Sequence, residues 1–112
     1  MTLENACEVA IWIDTEFRKM GVESPHIQVV THSVYTNGCA VNAWAPIGND
    51  TIKKWARPRW ERVGEPYGPV SAPHWPVEWA TNGVLVRVIF AEDPRRSTAD
   101  RLAEHKGAGL IR

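Results

Sequence analysis

The stretch of this chain whose residue types could do chemistry is the ten-residue run Lys53–Arg62, KKWARPRWER. The run carries a formal charge of +4, whereas the 13 basic and 13 acidic residues of the whole chain cancel. Cationic side chains bind phosphates, and interleaved indoles stack on unpaired bases. Trp and Arg are also the types most enriched at protein-interface hot spots. The candidate partner-binding residues are Lys53, Lys54, Trp55, Arg57, Arg59, Trp60 and Arg62.

Three interpretations of this run stay open. Its two indoles could pack on a sheet while its basic side chains face solvent. Alternatively, the run could bind an acidic protein surface, or it could bind nucleic acid. We expect a small non-enzymatic binding protein that presents a basic and aromatic loop to a macromolecular partner, with an acidic protein favoured over nucleic acid. A modulator or inhibitor encoded by a phage or mobile element fits the size of the chain. A single-stranded nucleic-acid-binding protein is the alternative.

A second candidate interface consists of Trp12, Tyr35 and Trp44. On a helical wheel Trp12 falls about 100° from the centre of the apolar stripe of its helix. Tyr35 and Trp44 belong to the more polar face of a predicted strand pair. These positions favour a subunit of a homo-oligomer or structural assembly as another function.

Signatures of catalysis and metal binding are missing from the sequence. It has no GxSxG, HExxH, GxxxxGK[ST] or GxGxxG motif. The four histidines and two cysteines lack ligand spacings such as CxxC or HxxxH. We therefore expect no enzymatic activity, no metal site and no cofactor.

Length and composition indicate one intracellular domain. The 112 residues fit a single domain, 1–112, with a core of its own. Cys7 and Cys39 are too few for a disulfide framework and favour a reducing compartment. The chain begins with polar and acidic residues, and no apolar run is long enough to span a bilayer. The expected location is the cytoplasm, with no membrane partner.

The strongest structural pattern is a hairpin over Trp75–Ala91. Asn82-Gly83 suits the two positive φ angles of a type I′ turn. That turn places Trp79 opposite Val86, and Glu78 opposite Arg87. One face of the hairpin is then almost wholly apolar.

A second hairpin is predicted around Asn37-Gly38, with strands over 26–36 and 39–45. The same turn rule pairs Val34 with Val41, His32 with Ala43 and Val30 with Ala45. Ser33 then faces Asn42, and Thr31 faces Trp44.

Two helices complete the predicted fold. The first spans Thr2–Met20 and ends at Gly21, and the second begins at Asp93-Pro94 or at Ser97 and runs to about Lys106. Residues 46–74 form a long connection, in which Asp50 caps one short helix over 51–56. The predicted fold is a two-layer α+β domain, in the order α-β-β-long loop-β-β-α. Its four-stranded, mostly antiparallel sheet is covered on one face by the terminal helices.

Overall fold

The computed structural model describes residues 3–31 and 38–96, and over these residues the chain is an α+β fold with two helices and a five-stranded mixed sheet. The elements in chain order are α1 (Leu3–Lys19), β1 (His26–Val30), β2 (Ala40–Trp44), α2 (Asp50–Ala56), β3 (Arg62–Val63), β4 (Trp75–Thr81) and β5 (Val84–Phe90).

Helix α1 packs on the sheet through the apolar stripe that its sequence predicts. Ala6, Val9, Ile13 and Phe17 are buried in the core. The helix ends in a Schellman motif, in which Gly21 N–H donates to Arg18 C=O and Val22 N–H donates to Phe17 C=O. Gly21 has φ +92°, as this motif requires. The predicted helix and its glycine stop are confirmed.

The predicted hairpin over β4 and β5 is confirmed in every pair. Asn82 and Gly83 have φ +50° and +73°, which is the backbone of a type I′ turn. The apolar face is buried against the helices, while Glu78 lies opposite Arg87 on the other face. The confirmed apolar-face pairs are Trp75 with Phe90, Val77 with Val88, Trp79 with Val86 and Thr81 with Val84.

The predicted register of the first hairpin is wrong. Strands β1 and β2 are antiparallel, but Val41 faces Val29 and Ala43 faces Ile27, with the nine residues 31–39 between the strands. This register puts four apolar side chains on the core-facing side, and the burial of that face outweighs a local turn preference. The predicted partners Val34, His32 and Ser33 lie outside the described residues.

The two hairpins meet through β2 and β5, which run parallel. The strand order is β1-β2-β5-β4-β3, so β5 is the centre of the sheet. The four-stranded, mostly antiparallel sheet predicted above is therefore corrected to five strands in a mixed arrangement. A parallel joint needs a long crossover, which residues 45–83 provide.

The long connection contains more structure than its sequence predicts. Helix α2 begins one residue earlier than expected, because the N-cap is Asn49, whose side chain accepts from Ile52 N–H at 3.0 Å. Strand β3 then adds to the edge of β4, and Tyr67 and His74 form an isolated antiparallel bridge. The predicted C-terminal helix falls mostly on residues 97–112, outside the described part of the chain.

Candidate partner-binding surface

The basic run is divided between three elements instead of forming one loop. Its first residues lie on α2, its middle is the turn at 57–59, and Arg62 begins β3. Ile52 and Ala56 anchor α2 in the core. Pro58 follows immediately and cannot continue the helix. The fold therefore holds in place the backbone that carries each basic side chain of the run.

Lys53 is buried, contrary to the expectation that it faces a partner. Its side chain is 3% exposed. Its Nζ lies 2.7 Å from Glu92 Oε1 and 3.3 Å from Asp50 Oδ1, and it also donates to the Arg96 carbonyl at 3.0 Å. The carboxylates compensate the buried ammonium. Lys53 thus ties α2 to the chain after β5 and contributes nothing to an outer surface.

The two indoles of the run are also less available than expected. Trp55 and Trp60 are partly buried and pack against the core. The Trp55 ring lies edge-on to Phe17 and Trp79, each at 5.8 Å between centroids. The expected basic and aromatic loop therefore does not present these two rings outward, because both are held to the sheet and helices.

Arg59 lies against two indoles that also contact each other. Its guanidinium carbon lies 4.7 Å from the ring centroid of Trp55 and 5.6 Å from that of Trp12. Its Nη1 donates to the Trp55 carbonyl at 2.6 Å. Trp12 and Trp55 contact each other at 5.5 Å. The second-interface candidate Trp12 therefore belongs to the same surface as the basic run.

Arg57 is exposed and is oriented without a carboxylate. Its guanidinium lies 5.9 Å from the ring centroid of Trp60. Its Nη2 donates to the carbonyls of Pro94 and Arg95, at 3.4 and 3.2 Å. No described carboxylate forms an ion pair with Arg57, Arg59 or the exposed Lys54. Within residues 3–31 and 38–96, Arg57 and Arg59 are therefore held by aromatic rings and backbone carbonyls.

Arg62 is exposed, although its side chain lies near a carboxylate. Its side chain is 73% exposed, and its Nε is 3.8 Å from Glu78 Oε1. Glu78 also pairs with Arg87 at 3.4 Å. The long and shared contact leaves most of the Arg62 guanidinium facing solvent.

The sequence alone missed Arg95, which the fold brings beside the run. Its guanidinium forms two bonds with the Asp93 carboxylate, at 2.9 and 3.0 Å, and lies 5.5 Å from the Trp75 ring centroid. Burial raises the pKa of Asp93, but hydrogen bonds from the Arg95 side chain and backbone outweigh burial and hold that pKa below its usual value. The Arg95-Arg96 pair after Pro94 was the only sequence signal for this contribution.

We call this assembly the arginine–tryptophan surface. It consists of Arg57, Arg59 and Arg95 with the indoles that they contact, and it is flanked by Lys54 and Arg62. Those indoles are Trp12, Trp55, Trp60 and Trp75.

The other members of the second candidate interface do not join Trp12. Val41 and Ala43 face the core, so the next residue, Trp44, points to the opposite side of the sheet. There its ring stacks on His26 at 4.4 Å. Tyr35 lies outside the described residues. Trp12 and Trp44 therefore cannot form a single continuous interface.

Within residues 3–31 and 38–96, no group of three or more His, Cys, Asp or Glu side chains could hold a metal ion. No helix in that part of the chain is long and apolar enough to cross a bilayer. The chain matches no family model, and no curated protein or solved structure shows significant similarity to it.

Proposed function

We propose that this chain is a small, intracellular, non-enzymatic binding protein whose arginine–tryptophan surface docks on an acidic surface of a protein partner. The observation that carries the proposal is the placement of three guanidinium groups against indole rings on one surface. A modulator or inhibitor would need no more than such a surface. The free thiols of Cys7 and Cys39 agree with a reducing compartment.

Contact with an aromatic ring orients a guanidinium before it binds a partner. Arg is planar with its N–H donors in the plane, so contact with a ring still leaves donors that can bind a carboxylate. Among the described residues, Arg57 and Arg59 donate to backbone carbonyls, whereas the Arg95 guanidinium already binds the Asp93 carboxylate. A side chain that is already held loses less conformational entropy on binding. Each cation–π contact also contributes about 0.5–1 kcal/mol at an exposed site. These features favour the carboxylates of a protein.

The same geometry argues against base stacking as the main contact. Unpaired bases need free aromatic faces. Trp55 is enclosed by other rings and by Arg59, and Trp60 is packed on the core. A single-stranded nucleic acid would therefore find phosphate-binding cations but few open rings.

The experiment compares two double variants in affinity capture from extracts of the native host. Arg57→Gln with Arg62→Gln removes one exposed cation of the proposed surface and one that flanks it, and leaves the structural contacts of Arg59 intact. Arg18→Gln with Lys19→Gln removes the same charge from the end of α1 and is the matched control. We expect the first variant to lose the captured protein and the control to keep it.

Competition then identifies the class of partner. Poly-glutamate should displace the captured protein, while a single-stranded oligonucleotide at equal charge concentration should displace it less. Equal capture by both double variants would refute the proposed surface. Displacement by the oligonucleotide alone would refute an acidic protein and favour nucleic acid.

A further inference from the structure

Residues 66–74, which we call the proline hairpin, connect β3 to β4 and extend beyond the end of the sheet. The last pair of β4 with β5 at this end is Trp75 with Phe90. Past that pair, Tyr67 and His74 form an antiparallel bridge, in which each N–H donates to the carbonyl of the other, at 2.9 and 2.7 Å. Their rings also make contact, with 5.3 Å between centroids. Backbone and side-chain contacts therefore join the two arms of the hairpin.

The tip of the proline hairpin is restrained by its own backbone. Ala72 N–H donates to the Pro69 carbonyl at 3.0 Å, which closes a turn. Gly68 has φ +91°, a conformation that favours glycine, and a Cβ there would lie 3.2 Å from His74 Cδ2. Proline fixes φ at three positions of the hairpin, 66, 69 and 73. A segment restrained in this way loses little conformational entropy when it binds.

These restraints do not come from packing against the core. All residues from 65 to 72 are exposed. Val70 lies in the turn and is 100% exposed. Turns favour Gly, Pro, Asn, Asp and Ser, so turn chemistry gives no reason for a β-branched residue at this position. A restrained hairpin that supports no core and carries an apolar side chain at its end is suited to act as a ligand.

The composition of the proline hairpin favours a particular kind of partner. Residues 66–74 contain no Lys, Arg, Asp or Glu, and the charged residue nearest to them in the sequence is the acidic Glu65. An anionic bilayer attracts clusters of basic residues, and the hairpin has none. The central part of a protein interface is poor in charge and takes apolar side chains into pockets. The tip therefore fits an apolar cleft of a protein.

We propose that the proline hairpin inserts Val70 into an apolar cleft of the partner protein, beside the acidic area that binds the arginine–tryptophan surface. The hairpin leads directly into Trp75, whose ring contacts Arg95 of that surface. One partner can therefore contact both. The inference rests on the proposed function for the identity of the partner, but the hairpin and the cations can be varied separately.

The first test measures how tightly the captured protein binds variants of the hairpin. Val70→Asp should raise the Kd roughly tenfold to a hundredfold, because a charge replaces a side chain that becomes buried in the complex. Gly68→Ala should also raise it, since the added Cβ displaces His74. Neither variant should lower the thermal transition of the free chain, because the tip is exposed. The matched control is Ile47→Asp, which changes another exposed apolar side chain, on the loop before α2, and should leave the Kd unchanged.

Methyl NMR then shows whether Val70 becomes enclosed. A soluble gadolinium chelate broadens the signals of methyl groups that solvent reaches, so those of Val70 should be strongly broadened in the free chain. Addition of the captured protein should reduce the broadening several-fold at Val70 and leave it unchanged at Ile47.

The outcomes separate this inference from the proposed function. Equal affinity of wild type and Val70→Asp, with binding lost in Arg57→Gln with Arg62→Gln, would overturn the inference alone. Binding lost in Val70→Asp and kept in the charge variant would support the hairpin contact and refute the proposed surface. Protection of Val70 by vesicles containing phosphatidylserine, and not by the captured protein, would overturn the inference in favour of a membrane.

Discussion

Lys53 and Lys54 are adjacent in the sequence and have opposite environments. Lys53 lies beside the core-facing residues of α2, and its ammonium meets Asp50 one turn earlier and Glu92 after β5. Lys54 points to solvent. A count of charges along the run could not separate the two, because the decisive partner is 39 residues away. The available positive charge is therefore smaller than the sequence predicts.

Replacement of Lys53 should be strongly destabilising. Lys53→Met removes one partner of a buried ion pair and leaves the Glu92 side chain, 8% exposed, without its closest cation. Such a loss costs about 3–5 kcal/mol of unfolding free energy. Urea unfolding measures it.

The neighbouring residue supplies the control for that measurement. Lys54→Met changes the same side chain on the exposed side of α2 and should stay within about 0.5 kcal/mol of wild type. The double variant Lys53→Met with Glu92→Leu should regain part of the loss, since it removes both members of the buried pair and leaves only the part-exposed Asp50 without its Lys53 contact. Equal midpoints for the two single variants would show that the ion pair contributes nothing.

At the scale of the element, local turn chemistry predicted one hairpin and misled on the other. Asn82-Gly83 agrees with the apolar pairing on both sides of the turn, so every pair of β4 and β5 follows from the sequence. At Asn37-Gly38 the turn rule and the burial of Ile27 and Val29 conflict, and burial decides the register. Agreement between turn type and apolar pattern is what made the first prediction secure.

The turn at Gly83 should be sensitive to any side chain that resists positive φ. Gly83 has φ +73°, and nothing lies within 4 Å of the position that a Cβ would take. Gly83→Ala should therefore cost about 1–2 kcal/mol through backbone strain alone. Gly83→Asn should cost less, because Asn tolerates this conformation better. Thermal or urea unfolding measures both variants. An equal loss of unfolding free energy in Gly83→Asn and Gly83→Ala would contradict this reasoning.

At the scale of the whole molecule, local sequence patterns could not predict that the two hairpins join through parallel strands. Strands β2 and β5 meet in register from Ala40 with Leu85 to Trp44 with Ile89. Neither hairpin sequence indicates which of its two strands pairs with the other hairpin. The fold class and the main amphipathic helix could be predicted, because they depend on periodicity. The strand order could not, since it depends on how distant surfaces pack.

The residues of the arginine–tryptophan surface could likewise be predicted only in part. The run from Lys53 to Arg62 is visible in the sequence, but its aromatic partner Trp12 comes from α1 and its added cation Arg95 follows β5. Only tertiary packing brings these residues together. The sequence thus predicted the centre of the candidate site, and the fold determined its members and their exposure.

The position of β5 predicts the pattern of hydrogen exchange in the native protein. Strand β5 bonds to strands on both sides and buries Val84, Val86, Val88 and Phe90, whereas β3 is a two-residue edge. Opening β5 requires loss of the core, while β3 can separate alone. Native-state exchange followed by NMR should therefore find β5 amides about a hundredfold slower than those of β3. Similar protection in both strands would mean that the sheet opens as one unit, which would contradict this prediction.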